Sequence, residues 1–292
     1  MDLFMAFSAG IIINIMVAFN GVLTTYSGVY TASLLSYIVA VISAGAYLIA
    51  RRQKLLPKRK LPLVMYSGGV IGIFSSVFTN FAFGKITLVA ITALALLAQT
   101  LTSLLIDAYG LFGAEKRKIN SSSVVCLFVS LVGIGVMLVG AEIGTVSAVL
   151  LSFASGITLV VSRMINAELA QNTDAVSGAF INHFVGIPTG IVALLLLGRG
   201  EPPIYRCVPT IPWWAFLGGT AGVIVVVITN KVVPKISAFQ ATLLLFIGQI
   251  FAGAVIDRFT GTENSWQLIL GGILVSVGVV LNALSNRKRE TA

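Results

Sequence analysis

Hydrophobic residues run along this chain in blocks of about twenty, and short polar breaks separate the blocks. A helix of that length crosses the roughly 30 Å hydrocarbon core of a bilayer. Helices are expected because backbone groups at that depth must be hydrogen-bonded within the segment. The blocks predict ten transmembrane helices, at approximately 3–25, 29–50, 63–84, 87–107, 122–141, 146–166, 176–197, 213–233, 237–257 and 266–285.

The few polar positions inside these blocks occur twice. Residues 68–107 align without a gap with residues 218–257 at a shift of 150, and upstream the shift is 146. Random apolar sequence rarely matches Asn, Gln and Asp in order at fixed distances, so the pattern predicts a tandem duplication with units 1–144 and 145–292. The matched pairs include Gly10 and Gly156, Asn20 and Asn166, Thr79 and Thr229, Asn80 and Asn230, Gln99 and Gln249, and Asp107 and Asp257.

The number of helices in each unit determines how the two units are related. Five is odd, so the second unit must enter the membrane from the opposite side, which relates the units by a pseudo-two-fold axis in the membrane plane. Inverted repeats of this kind are typical of secondary transporters. The predicted fold is therefore an all-α integral membrane protein with ten transmembrane helices in two inverted five-helix repeats.

Composition excludes a soluble domain and charge gives the orientation. Hydrophobic residues make up 57% and charged residues 10% of the chain, against about 25% charged residues in soluble domains. Fifteen Lys and Arg residues, Arg163 among them, fall on the side that carries both termini, and four fall on the other. This asymmetry predicts a multi-pass protein of the cell membrane with both termini in the cytoplasm. It also explains the net charge of +9 as a topology signal, so no nucleic-acid partner is expected.

Other features of the chain agree with this topology. Trp213, Trp214 and Trp266 each open a span on the predicted outer face, where tryptophan rings settle at the headgroups. No basic segment precedes the first span, so the first helix is expected to be retained. Cys126 and Cys207 are expected to be free.

Polar side chains at membrane depth are the candidate functional residues. A buried amide without a partner costs several kcal/mol, so each recurring one needs a reason. One reason is substrate binding; the alternative is that these groups only hydrogen-bond neighbouring helices. The lone histidine could carry protons or simply pack. The predicted substrate-binding residues are Gln99, Gln249, Asn20, Asn166, Thr79, Asn80, Thr229, Asn230, Tyr37 and His183.

Two aspartates lie at the ends of predicted helices. Asp107 and Asp257 follow their glutamines by eight residues, roughly 12 Å along a helix, and are predicted as gate or helix-end residues. No Asp or Glu lies in the predicted middle of any helix. Phosphate loops, metal-ligand clusters and nucleophilic triads are also absent from the sequence. The sequence therefore predicts neither an enzyme nor a bound cofactor or metal.

Two stretches resemble a known family. LLAQTLTSLLIDAYGLFG (96–113) and FIGQIFAGAVIDRFTG (246–261) are similar to the Gln-x7-Asp signature of the YdcZ-type family of the drug/metabolite transporter superfamily. SGGVIGIF (67–74), LGGTAGVI (217–224) and RMINAEL (163–169) look like its other recurring segments. The resemblance implies the fused two-unit form: a ten-helix transporter with a central cavity lined chiefly by helices one, three, four, six, eight and nine.

The two copies also depart from each other and from the family pattern. Ala98 stands where the second copy has Gly248, and Thr260 stands where the first has Gly110. Ser36-Tyr37 and Asn182-His183 replace a more usual Ser-Phe pair. These differences indicate an asymmetric pocket.

The expected function is secondary transport of a small polar metabolite, neutral or zwitterionic, by alternating access. An interior rich in amides and poor in carboxylates can satisfy such a solute without a fixed charge. The alternatives are efflux of cationic or hydrophobic compounds, and a membrane scaffold or accessory subunit that transports nothing. The expected partners are the small-molecule substrate and the lipid bilayer, and the chain is expected to function as a monomer.

Overall fold

The computed structural model describes residues 1–53, 60–83, 85, 86, 88–116, 121–138, 146–260 and six later positions: 266, 270, 271, 273, 274 and 277. These residues form helices, turns and loops, without a sheet. Nine helices of sixteen or more residues occur in these ranges. They are α1 (Asp2–Ser27), α2 (Val29–Ala50), α3 (Ser67–Ala82), α4 (Leu88–Tyr109), α5 (Ser121–Leu138), α6 (Val146–Asn172), α7 (Ala175–Leu197), α8 (Leu217–Val232) and α9 (Ala238–Thr260).

Short helical segments connect some of these helices. One 3₁₀ turn, Leu63–Tyr66, leads into α3, and another, Trp213–Phe216, leads into α8. With these turns included, seven helices in the described ranges are long and apolar enough to cross a membrane. The protein is therefore a multi-pass membrane protein. The predicted tenth helix, 266–285, lies outside the described residues except for the six positions given above.

The hydrophobic blocks located the described helices to within a few residues, with one larger difference. The sixth helix was predicted to end at 166, and α6 continues to Asn172. Arg163 and Asn166, whose polarity suggested the end of the span, are 8% and 3% exposed because they face neighbouring helices. Arg163 is thus a buried residue of the bundle, although the charge count grouped it with the residues of the side that carries both termini.

Glycines let helices from the two halves of the chain come close together. A Cβ added to Gly10 of α1 would overlap the carbonyl oxygen of Leu245 in α9, and one added to Gly156 of α6 would overlap that of Ala95 in α4. Only a residue without a Cβ allows such contact between helix backbones. Because Gly10 and Gly156 are equivalent in the repeat, α1 meets α9 in the same way as α6 meets α4.

The glycine motifs of α3 and α8 make a second pair of matching contacts. A Cβ on Gly68 would overlap the side-chain oxygen of Asn166 in α6, and one on Gly218 would overlap that of Asn20 in α1. In consequence α3 packs along α6, and α1 packs along α8. This arrangement places the predicted amides in the centre of the bundle, where the two halves meet.

A carboxylate from the second half of the chain caps the amino end of a helix in the first half. The carboxylate of Glu201 accepts hydrogen bonds from the backbone N–H groups of Tyr30 and Thr31 at 2.9 Å each. This satisfies donors at the start of α2 that have no partner within the helix.

Cys207 is the last residue of the short helix Ile204–Cys207, and it is buried and free. The side chain of Cys126 lies outside the described residues.

Candidate functional site

A cavity of about 200 Å³ lies in the centre of the bundle. Its lining comes from eight helices: α1, α2, α3, α4, α6, α7, α8 and α9. These include all six helices that the family resemblance implied, and add α2 and α7. Nine of the ten predicted substrate-binding residues line it: Asn20, Tyr37, Thr79, Asn80, Gln99, Asn166, His183, Thr229 and Gln249.

The tenth predicted residue, Asn230, is not among the lining residues. Its amide nitrogen donates to the carbonyl oxygen of Ala175 at 3.1 Å, at the start of α7. Its repeat equivalent Asn80 does line the cavity and donates to the hydroxyl of Ser33 at 2.9 Å. The structure therefore does not bring Asn230 together with the other nine predicted residues, because its side chain is directed toward a helix end.

Of the two predicted gate or helix-end residues, Asp107 is described by the structure and is not among the residues that line the cavity. The buried carboxylate of Asp107 accepts hydrogen bonds from the backbone N–H groups of Ala238 and Phe239 at 3.0 and 2.9 Å. Those are the first two residues of α9, so Asp107 caps a neighbouring helix and not its own. Asp257 lies on α9, and its side chain lies outside the described residues.

Gln99 is part of a buried polar cluster that also contains a guanidinium. Arg163 Nη2 donates to Gln99 Oε1, and Arg163 Nη1 donates to Thr242 Oγ1, both at 3.3 Å. The Thr242 hydroxyl lies 2.7 Å from that of Ser103, which in turn donates to the backbone carbonyl of Gln99. All four residues are at most 8% exposed. The cluster therefore joins α4, α6 and α9, and two of its members, Gln99 and Arg163, line the cavity.

The second glutamine has different surroundings. Gln249 Nε2 donates to the carbonyl oxygen of Leu245 on its own helix at 3.4 Å. The backbone carbonyl of Gln249 accepts a 2.7 Å hydrogen bond from the amide of Asn14. No guanidinium contacts Gln249 in the described part of the chain, because the residue equivalent to Arg163 in the first repeat is Val17.

Tyr37 and His183, which are equivalent in the repeat, touch each other. Their ring centroids are 5.0 Å apart in an edge-on arrangement. His183 Nδ1 lies 2.8 Å from the carbonyl oxygen of Ala179, which fixes the proton of a neutral ring on Nδ1. Nε2 is then an acceptor, and it lies 3.8 Å from the position of a Cβ on Gly222, another lining residue.

The residue that precedes each of these two rings in the sequence differs between the repeats. In the first repeat, the Ser36 hydroxyl donates to the side-chain oxygen of Asn20 at 2.9 Å. In the second, Asn182 replaces the serine, and the side-chain oxygens of Asn166 and Asn182 have no hydrogen-bond partner in the described structure. The second repeat therefore offers the cavity more unsatisfied acceptor capacity than the first.

The sequence prediction missed several lining residues, most of them on α6 and α3. Arg163 had been counted only as a charge on the side that carries both termini. The signal was present, because a spacing of three to four residues puts the α6 positions on the same helix face as Asn166. The polar lining residues outside the predicted set are Ser36, Ser75, Ser76, Thr92, Ser155, Ser162, Arg163 and Asn182.

The cavity lining contains few ionisable side chains. It contains one arginine and, among the described residues, no Asp or Glu. Arg163 has neutral hydrogen-bond partners. The described lining therefore carries one fixed positive charge and no fixed negative charge.

Comparison with known proteins agrees with this architecture. A model of the family DMT_YdcZ, described as "Putative inner membrane exporter, YdcZ", matches residues 1–138 and again residues 147–284. One crystal structure, described only as that of a protein, is similar over 98% of this chain and 98% of its own, with a TM-score of 0.69 and 17% identity. At that identity the likeness supports the fold alone. No curated protein matches the chain.

Proposed function

Because the chain belongs to the DMT_YdcZ family of inner membrane exporters, we propose that it is a secondary transporter that moves a small polar metabolite out of the cell by alternating access. The metabolite is neutral or zwitterionic, and the protein functions as a monomer. The observation that carries this proposal is the central cavity, whose polar lining comes from both halves of the chain. A cavity shared by two halves can open to either side as the halves move relative to each other.

The proposal includes ten helices arranged as two inverted units, 1–144 and 145–292. The family model matches the chain twice, with unit boundaries close to these. The contact between Tyr37 and His183 supports a two-fold relation, since equivalent residues of two units meet only near a symmetry axis. The matching contacts of Gly68 and Gly218 support it further, because each joins one half of the chain to the other.

We further propose that both termini face the cytoplasm. The charge asymmetry supports this orientation, and the ion pair between Asp2 and Lys235 at 3.1 Å brings two predicted cytoplasmic segments together. A single cysteine at Lys60, in a variant without the native cysteines, should be labelled by an impermeant maleimide only after the cells are opened. A cysteine at Arg199 should be labelled in intact cells. The reverse pattern would disprove the orientation.

Transport itself is tested with a variant that fills the cavity. A Cβ at Gly222 would meet its nearest neighbours at 3.5 and 3.8 Å, which is ordinary contact, so a larger side chain can enter the cavity space. Gly222→Leu should therefore fold and reduce solute exchange at least tenfold in liposomes that contain purified protein. The matched control is Gly135→Leu, since Gly135 of α5 is exposed and a Cβ there meets nothing within 4 Å.

The assay uses a panel of labelled amino acids, organic acids, amines and sugars, with protein-free liposomes as the blank. Exchange of at least one solute by wild type and by Gly135→Leu, but not by Gly222→Leu, is the expected result. If no solute exchanges above the blank, the transport proposal fails and the scaffold alternative gains support. Movement of lipophilic cations alone would instead favour the efflux alternative, which the arginine in the cavity disfavours.

A further inference from the structure

The two repeats have diverged at four lining positions, which are polar on α6 and α3 and apolar at the equivalent positions on α1 and α8. The equivalent pairs are Arg163 and Val17, Ser162 and Met16, Ser75 and Val225, and Ser76 and Val226, all of which line the cavity.

The packing of the helices groups each set. Because α3 packs along α6, the polar residues form one wall, and because α1 packs along α8, the apolar residues form another. Ile13 of α1 extends the apolar wall, and its equivalent Leu159 is the one apolar side chain that α6 and α3 contribute to the lining. A cavity of this kind matches a solute that has one polar end and one apolar end.

Arg163 decides which charge the polar end carries. Its guanidinium has five N–H donors, and its two recorded partners, Gln99 and Thr242, are neutral acceptors at 3.3 Å. A buried charge without a counter-charge is costly and marks a functional site in a membrane protein. A guanidinium also matches the two oxygens of a carboxylate or phosphate better than any neutral group.

We propose that the substrate is a small amphiphile with an anionic group, either a carboxylate or a phosphate, bound by Arg163, and with an apolar part that lies against the wall formed by α1 and α8. This inference rests on the proposed transport function. Within the substrate class proposed there it selects the zwitterion over the neutral solute, and it adds anions to that class. The cavity volume of about 200 Å³ is below the roughly 300–1,000 Å³ of drug-sized sites. The apolar part is therefore a short side chain and not a lipid tail.

The test compares probes that share one branched alkyl tail and differ in the polar end. The probes are leucine, 4-methylpentanoate, isopentyl phosphate, leucinamide and isopentylamine, and serine serves as a carboxylate without the apolar tail. Binding is measured by calorimetry on the purified wild-type protein. At least one anionic or zwitterionic probe should bind ten or more times as tightly as leucinamide and isopentylamine, and leucine should bind several-fold more tightly than serine. The three anion-bearing probes distinguish zwitterion, carboxylate and phosphate.

Variants then assign this selectivity to the two walls. Arg163→Gln should weaken binding of the preferred anionic probe at least tenfold and change binding of leucinamide less than threefold. Arg163→Lys should retain part of the preference. Val226→Ser, which introduces the side chain of the equivalent position Ser76, should reduce the preference for leucine over serine. Arg199→Gln, on an exposed loop, is the matched control and should bind all probes as wild type does.

The results separate this inference from the transport proposal. Equal or tighter binding of the amide or the amine, or undiminished anion binding by Arg163→Gln, would overturn the anionic substrate while leaving transport intact. If none of the probes binds, the solute that wild-type protein exchanges in the liposome panel is used in their place. The inference is contradicted if that solute has no anionic group. It is supported if Arg163→Gln loses binding of that solute. If Arg163→Gln does not fold, the comparison of acid and amide probes on the wild-type protein still decides whether an anionic group is required for binding.

Discussion

Gln99→Leu is expected to fold and melt near wild type and to lose at least tenfold in substrate binding and exchange. Its side-chain oxygen is one of the two recorded acceptors of Arg163, so leucine would leave the guanidinium held by Thr242 alone. A membrane amide that only joins helices costs about 0.6–2 kcal/mol of stability when it is removed. The loss of a positioned charge in the cavity should therefore reduce binding much more than it reduces stability.

Gln249→Leu is expected to weaken binding less, by several-fold. The side chain of Gln249 lines the cavity, and its recorded hydrogen bond is to its own helix at 3.4 Å. The matched control is Gln240→Leu, because Gln240 is a partly buried glutamine of α9 outside the cavity lining. Binding by calorimetry, exchange in liposomes and melting in detergent are measured for all three variants.

These three variants also test whether the amides bind substrate at all. Normal binding by both cavity variants would show that the glutamines serve helix packing. Failure of both to fold would lead to the same conclusion. If Gln240→Leu lost as much binding as Gln99→Leu, the effect would not be specific to the cavity.

Asp107→Ala is expected to cause the largest loss of stability, about 2–4 kcal/mol of unfolding free energy, because it removes two charge-assisted hydrogen bonds at a buried helix start. The carboxylate accepts from Ala238 and Phe239 at 3.0 and 2.9 Å, and the residue is 5% exposed. Asp107→Asn keeps one acceptor oxygen, so its free energy of unfolding should fall by less than that of Asp107→Ala. Thermal and denaturant unfolding in detergent rank the variants by stability.

Asp174→Ala is the control for helix capping as such. Asp174 also accepts two backbone hydrogen bonds, from Val176 and Ser177 at 3.0 Å, at the start of α7, but it is exposed. Its removal should cost about 0.5–2 kcal/mol. If Asp107→Ala instead melts like wild type and loses exchange, Asp107 acts as a gate and its capping contacts are secondary.

The sequence was sufficient to predict the helices, because each depends on a local pattern. A block of about twenty apolar residues forms a helix in a bilayer whatever lies beside it. Val29–Ala50 was predicted to the residue, and other described boundaries differ by a few positions. The repeat added long-range information, since matched amides at fixed shifts led to a shared central cavity, and nine of the ten predicted residues line it.

The exceptions have a common physical cause. The hydrophobic pattern records whether a residue is polar and does not record which helix it faces. Arg163 was therefore not predicted as a site residue, although it is 8% exposed and its guanidinium donates to Gln99. Asn230 was grouped with Asn80 by the repeat, yet its amide binds the start of α7.

The sequence by itself determined a membrane protein with two related halves and a set of buried amides. Only the tertiary structure decided which of those amides share one cavity, and that an arginine joins them. It also separated the polar residues of α3 and α6 from the apolar residues of α1 and α8. The physical reason is that contacts between helices depend on where glycines such as Gly10 and Gly156 let backbones approach. The orientation of each helix face follows from those contacts and not from the order of residues along one helix.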